Sequence, residues 1–311
     1  SGRLADEINR TLPGMSSVIK STARALRRVD DAELSGDLLL EANERWADPA
    51  TWRAIQTAGA PYTSSYYLTA LDLELNREGE IQARDTQIYV KLYTKTLKMA
   101  LIITVLTLIL GYPLAYFMAN ASTSLGNFLM VFVLLPFWTS LLVRTTAWIA
   151  LLQTNGIVNS TLMALGITGE PLEMLYTQFS TIIAMTHILL PFMILPLYSV
   201  MKAIPPSYVR AAKSLGATNS TAFWRVYFPQ TVPGIGAGGI LVFILAIGYY
   251  ITPALLGGQD GVMISNIIDG HMRSSLNYSL AAALGLVLLV FVLFLFWLYD
   301  RVVGIDNMKL G

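Results

Sequence analysis

The sequence predicts an all-α integral membrane protein: a bundle of five membrane-spanning helices preceded by a solvated, mainly helical region. Three observations predict it. Only 13% of the 311 residues are charged, against roughly 25% in soluble domains, and 54% are hydrophobic. The charge is segregated: residues 1–98 hold 13 of the 21 Lys and Arg and 14 of the 20 Asp and Glu. Beyond them lie five apolar runs of about 20 residues, the length that crosses a ~30 Å hydrocarbon core.

Taken in order, residues 1–98 contain no span. Residues 15–29 and 34–46 read as helices, the second ending at Asp48-Pro49, and 61–69 (PYTSSYYLT) as a loop or short extended stretch. Basic Arg24, Arg27 and Arg28 stand near acidic Asp30, Asp31 and Glu33, which is either a docking surface or a solvated helical face. The start at Ser1-Gly2-Arg3 carries neither an initiating Met nor a signal segment. A further span upstream is therefore expected, giving six in all.

The first run, 99–118, carries Gly111 and Pro113 near its end, and an uncharged turn at 120–127 follows. The second, 128–152, holds Pro136 and Arg144. Residues 153–178 are polar, with Glu170 and Glu173 and no basic residue. The third run, 181–200, is interrupted by Pro191 and Pro196. The fourth, 232–256, has glycines at 234, 236, 238, 239 and 248, and Pro253 near its end. Its glycine face suits close helix packing, with gating as the second reading. Polar residues 257–277 lead to the fifth run, 280–298.

Between the third and fourth runs, 203–230 forms a loop. Arg210, Lys213 and Arg225 lie in it and Lys202 just before it, with no carboxylate from 202 to 230, so the positive-inside rule places it in the cytoplasm. Alternation then puts 120–127 and the tail from Arg301 inside, and 153–178, 257–277 and the amino-terminal region outside. The expected domains are an extracytoplasmic region 1–94, a membrane domain 95–305 and a cytoplasmic tail 306–311. A helix starting near Pro206 would set Ala212, Gly216 and Ser220 on one narrow face. Gly216 costs about 1 kcal/mol in a helix interior, so it suggests close approach or a turn between two short helices. The patch Phe223, Trp224, Val226, Tyr227 and Phe228 would anchor in a partner's groove or in the lipid interface.

Composition narrows the function. No cysteine is present, which excludes disulfides and thiolate chemistry, and His187 and His271 lie in separate segments. No GxxxxGK[ST] phosphate loop occurs, so ATP is not bound by that route, and a net charge of +1 gives no case for nucleic acid. No catalytic, cofactor-binding or metal site is expected. Such a chain is a conduit or a partner subunit rather than an enzyme.

The 203–230 loop resembles that of bacterial ABC-importer permeases, whose pattern is Glu-Ala-Ala, three residues, Gly, nine residues, Ile, any residue, Leu-Pro. Here Ala211 and Ala212 are followed by Gly216, Ala217, Phe223, Val226, Tyr227, Phe228 and Pro229 at matching spacing, while Arg210 replaces the Glu. The resemblance implies a type I permease fold in the bacterial inner membrane and a loop that docks on an ATPase subunit. It also implies an ABC ATPase dimer that hydrolyses the ATP, a second permease subunit and an extracytoplasmic substrate-binding protein. Four stretches are similar to the spermidine/putrescine branch: residues 111–116 (GYPLAY), 135–145 (LPFWTSLLVRT), 223–229 (FWRVYFP) and 249–258 (YYITPALLGG).

A polyamine calls for carboxylates and aromatic faces. Trp138, Trp148, Tyr249 and Tyr250 are candidates for the pathway, and Asp260 and Asp269 for guiding a cation to its entrance. The spans hold no Asp or Glu, so a carboxylate for the amines would come from the second permease or the binding protein. Arg144 is the ionisable group, besides His187, well inside a span; it repels a polycation unless neutralised, and a role in holding helices together is preferred. Alternative cargoes are opines, amino-acid derivatives and quaternary amines. An ion-coupled secondary transporter is disfavoured, because no internal repeat and no intramembrane acid are visible.

Overall fold

The computed structural model describes residues 5, 8–9, 12–27, 36–59, 63–76 and 79–303. Contacts divide the chain into two units, residues 1–87 and 88–311.

In the first unit, α1 (Met15–Leu26), α2 (Gly36–Ala42), α3 (Pro49–Gly59) and α4 (Ser65–Ala70) precede a hairpin of β1 (Leu73–Leu75) and β2 (Ile81–Ala83), paired with Leu73 opposite Ala83. Its small core gathers Ile8, Met15, Val18, Trp46 and Ala54, and Trp46 Nε1 donates to buried Thr22 Oγ1 at 3.0 Å. Two expectations need correction. The helix expected over 34–46 is broken at Asn43, whose extended backbone and side-chain acceptor for Arg45 N start a separate 3₁₀ turn, Glu44–Ala47. The stretch read as loop at 61–69 contains α4, entered at Ser64. Arg28, Asp30, Asp31 and Glu33 lie outside the described residues, as does the tail 306–311.

The second unit is the helical bundle. It contains α5 (Tyr89–Asn120), α6 (Thr123–Leu134), α7 (Leu141–Leu152), α8 (Ile157–Ala164), α9 (Gln178–Ala203), α10 (Pro206–Ser214), α11 (Asn219–Ala222), α12 (Phe228–Gly248), α13 (Ile251–Leu256), α14 (Ile264–Arg273) and α15 (Tyr278–Val303). Among the described residues four helical stretches are long and apolar enough to cross a membrane: Tyr89–Asn120, Gln178–Ala203, Asn219–Gly248 and Tyr278–Tyr299. A fifth crossing exists only as a pair, Thr123–Trp138 and Leu141–Ala164, bent by 97°. The second apolar run is therefore not a straight span. Pro136 opens a 3₁₀ turn at Leu135–Trp138, and Thr139 and Ser140 are extended before α7 restarts.

Helix α9 is central: 61% of its apolar window is buried, against 22–33% for the other three. Pro191 and Pro196 sit inside it without ending it. Its start is fixed by a reciprocal cap in which Thr177 and Ser180 exchange side-chain and backbone hydrogen bonds. A methionine-rich core (Met99, Met118, Met185, Met193, Met201) joins α5 and α9, with Val242 and Ala246 of α12. The glycines of α12 work as the packing reading expects. A Cβ on Gly238 would lie 2.8 Å from Met193 Sδ, and one on Gly234 3.1 Å from Val200. The fourth run is one helix only to Gly248; Tyr249 is extended and α13 restarts at Ile251.

Candidate functional site

Two places along α12 stand apart from regular packing, one at each end. The first is the 203–230 segment. Pro205 and Pro206 start α10, which ends at Ser214 because Gly216 takes φ +90°, the left-handed region. Thr218 Oγ1 then caps α11 by accepting from Thr221 N, and a π-helical turn, Phe223–Tyr227, runs into α12. Of the two sequence readings of Gly216, the structure takes the turn; Ala212, Gly216 and Ser220 do not form one continuous face. A Cβ on Gly216 would meet nothing within 4 Å, so its neighbourhood is open. Leu215 beside it is 89% exposed.

Arg210 and Lys213 on α10, with Lys202 at the end of α9, line a cleft of about 680 Å³ closed by Tyr116 and Asn120 of α5 and by Phe223. Lys202 Nζ donates to Ala119 O at 3.3 Å, so it caps the end of α5. Asn120 Nδ2 donates to Tyr116 O at 2.8 Å. The aromatic patch divides. Phe223 and Tyr227 turn inward, their rings 5.6 and 5.2 Å from that of Tyr116. Trp224 is 60% exposed. Ala211, Ala212 and Ala217 are small groups beside the Gly216 turn, and Pro229 lies in the first turn of α12. Sequence reasoning missed Tyr116 and Asn120, which sit about a hundred residues earlier and carry no local signal.

The second place is the break between α12 and α13. The carbonyls that helix geometry frees there are taken up by α14: Ser265 Oγ donates to Tyr249 O at 2.6 Å and Asn266 Nδ2 to Tyr250 O at 2.7 Å. Thr252 Oγ1 lies 3.4 Å from Thr145 Oγ1 of α7. Arg144, one residue before, is within electrostatic range of His187 and Tyr249. Among the described residues its buried Nε has no acceptor. Trp148 Nε1 donates to His187 Nδ1 at 3.4 Å. Trp138, in the 3₁₀ turn, is 76% exposed. Asp269 accepts from Arg273 Nε at 2.7 Å, and the same guanidinium reaches Tyr250 Oη at 3.4 Å. Asp260 is exposed. The structure thus brings Arg144, His187, Trp148 and Tyr249 near one another, and Tyr250 with Asp269 through Arg273. Trp138 and Asp260 are not drawn into either group. Among the described residues no group of His, Asp and Glu could hold a metal.

Comparison with known proteins gives a consistent result. Residues 111–303 match the family described as "Binding-protein-dependent transport system inner membrane component". The chain is 35% identical over 222 residues to the spermidine/putrescine transport system permease protein PotB of Haemophilus influenzae, covering 71% of this chain and 78% of that protein. It is 34% identical over 215 residues to the inner membrane ABC transporter permease protein YdcU of Escherichia coli, covering 64% and 67%. In fold it is similar to a chain of a bacterial alginate ABC transporter in complex with an alginate pentasaccharide-bound periplasmic protein. There the TM-score is 0.60 at 18% identity, covering 73% of this chain and 82% of that one.

Proposed function

The chain belongs to the family of binding-protein-dependent transport system inner membrane components, and from that premise we propose that its cargo is a polyamine, spermidine or putrescine. It is a multi-pass inner membrane permease of the ABC-importer type, a transport component and not an enzyme. The observation that carries the cargo is the 35% identity to spermidine/putrescine permeases over 222 residues.

In this reading an ABC ATPase dimer docks on the 203–230 segment in the cytoplasm, a second permease subunit completes the pathway, and an extracytoplasmic binding protein delivers the cargo. Closure of the ATPases displaces α10 and the Gly216 turn. The π turn is continuous with α12, and α12 is wedged on α9 through Gly234 and Gly238. Movement at the loop therefore reaches the Tyr249–Tyr250 break as motion of a packed pair, not of one helix. Trp138, Trp148, Tyr249 and Tyr250 offer π faces to ammonium groups. The carboxylates for those groups come from the second subunit or the binding protein, since the spans of this chain contain none.

One observation favours a second reading. Arg144, with its unpaired Nε beside Tyr249, suits a cargo that itself carries a carboxylate, such as an opine or amino-acid derivative. The test is ATP hydrolysis by the reconstituted complex with binding protein loaded with spermidine or with a carboxylated solute. Stimulation by spermidine supports the first reading; stimulation by the carboxylated solute alone replaces it with the second. A chain that copurifies with no ATPase overturns both.

A further inference from the structure

We propose that the cleft between α10 and the ends of α5 and α9 binds the phosphate headgroup of an anionic phospholipid. The site requires neither an ATPase on the loop nor a particular cargo. The cleft, about 680 Å³, is lined by three cations, Lys202, Arg210 and Lys213, and by no Asp or Glu among the described residues. Pro206, Val209, Arg210 and Lys213 fall at i, i+3, i+4 and i+7, so one face of α10 forms one wall. Exposed Tyr208 and Leu215 lie on the opposite face of that helix. Both cations of α10 therefore belong to the face turned toward the bundle. Arg210 and Lys213 form no ion pair among the described residues. Lys202 Nζ gives one N–H to Ala119 O at 3.3 Å, which leaves further donors of its ammonium for a ligand. Like charges gathered in one cleft repel, and an anion held among them removes that cost. Arg210 stands where the permease loop pattern has Glu, so this charge belongs to the chain itself and not to the pattern.

Position and lining select a lipid among phosphate-bearing ligands. Helix α5 ends at Asn120 and α9 at Ala203, so the cleft opens at the ends of two membrane-crossing helices, where headgroups lie. Basic pockets between spans on the cytoplasmic side, the side to which the charge bias assigns this loop, suit acidic headgroups. The rest of the lining is largely apolar and aromatic. The rings of Phe223 and Tyr227 stand edge to face with Tyr116 at 5.6 and 5.2 Å, and Ile204 and Val209 adjoin them. That wall can cover the glycerol and first acyl carbons of a lipid, whereas inorganic phosphate gains nothing from it.

The full-length chain, purified in detergent with whatever subunits accompany it, tests this. Its melting is followed while dioctanoyl phosphatidylglycerol, dioctanoyl phosphatidylcholine or inorganic phosphate is titrated in. Phosphatidylglycerol is expected to bind saturably and raise the melting temperature. Phosphatidylcholine, whose headgroup has no net charge, and inorganic phosphate should do neither. Arg210→Gln and Lys213→Gln should each weaken phosphatidylglycerol binding about fivefold, and the two together roughly twentyfold. Arg225→Gln removes a cation of the same segment that lies outside the cleft, and should leave binding unchanged. All three positions are exposed, so these variants spare the packed bundle. An equal loss in Arg225→Gln would mean general attraction to a basic surface and would overturn the site. Equal binding of the two lipids would overturn it as well. Inorganic phosphate that displaces phosphatidylglycerol at similar concentration would assign the cleft to a soluble anion and overturn the lipid.

Discussion

Helix α12 is bounded by two interruptions of opposite character. At Gly216 the chain turns through a left-handed residue with open space around it and Leu215 almost wholly exposed. At Tyr249–Tyr250 the carbonyls left free are each taken by a side chain of α14, at 2.6 and 2.7 Å. The first is an exposed turn; the second is a joint closed by its own chain. If the loop docks on an ATPase as proposed above, movement entering there meets one soft end and one tied end of the same helical stretch. The comparison predicts that damage at Gly216 costs coupling without folding, whereas damage at the break costs folding first.

The largest effect is expected at the loop. Gly216→Leu places a branched side chain at φ +90°, where a residue with a Cβ costs about 1–2 kcal/mol. No atom obstructs it, so the melting temperature should fall by a few degrees only, and assembly should persist. ATP-coupled uptake should drop by roughly tenfold or more, because the turn that presents Leu215 is remade. Native coupling in this variant would remove the loop from the mechanism. At the break, Asn266→Ala deletes the donor to Tyr250 O and the acceptor for Met263 N. That should destabilise the chain by about 2 kcal/mol. A thermal-shift measurement with no change would show that the joint is not held by α14.

How much of this was legible in the sequence differs between the two ends. The bundle was legible because apolar length and charge segregation are properties of composition. The start of α10 was legible from Pro205-Pro206, and its end from Gly216. The breaks within spans were not. Residues 128–152 read as one crossing because hydrophobic length carries no information about direction, and the 97° bend arises from Pro136 followed by extended Thr139 and Ser140. Proline marked two of the breaks, at Pro136 and before Pro253, whereas Pro191 and Pro196 lie in α9, which stays continuous within the buried core. The Tyr249–Tyr250 break had one local signal, Pro253, which has no N–H for the carbonyl of Tyr249 four residues earlier, but the side chains that make it tolerable, Ser265 and Asn266, come 16 residues later. The cleft was invisible for the same reason: its floor comes from α5, far away in sequence.

Arg144 sharpens the comparison at the tied end. Among the described residues its buried Nε has no acceptor. Arg144→Met should therefore leave the isolated subunit as stable or raise its stability by up to about 1 kcal/mol. Assembly with the second permease should fall if that subunit supplies the acceptor, and relative preference among cargoes should not move. Co-elution and competition uptake separate these outcomes; an altered preference with intact assembly would place Arg144 on the cargo.

The smallest effect is expected at His271, on α14 next to the joint. Nε2 lies 3.2 Å from Tyr89 Oη and Nδ1 3.0 Å from Ser275 Oγ, and burial lowers its pKa below the ordinary histidine value. The folded state therefore favours neutral imidazole and binds fewer protons than the unfolded chain. Its contribution to stability is full above pH ~6.5 and declines as pH falls through that value toward the folded pKa. Partial exposure screens the effect, so it should stay well below about 1 kcal/mol. Comparing melting of the native chain and His271→Gln at pH 7.5 and 5.5 isolates it: only the native chain should lose stability on acidification through this group. Equal acid sensitivity in both would mean that α14 is held to α5 without regard to the charge on His271, and that Ser265 and Asn266 alone keep the joint closed.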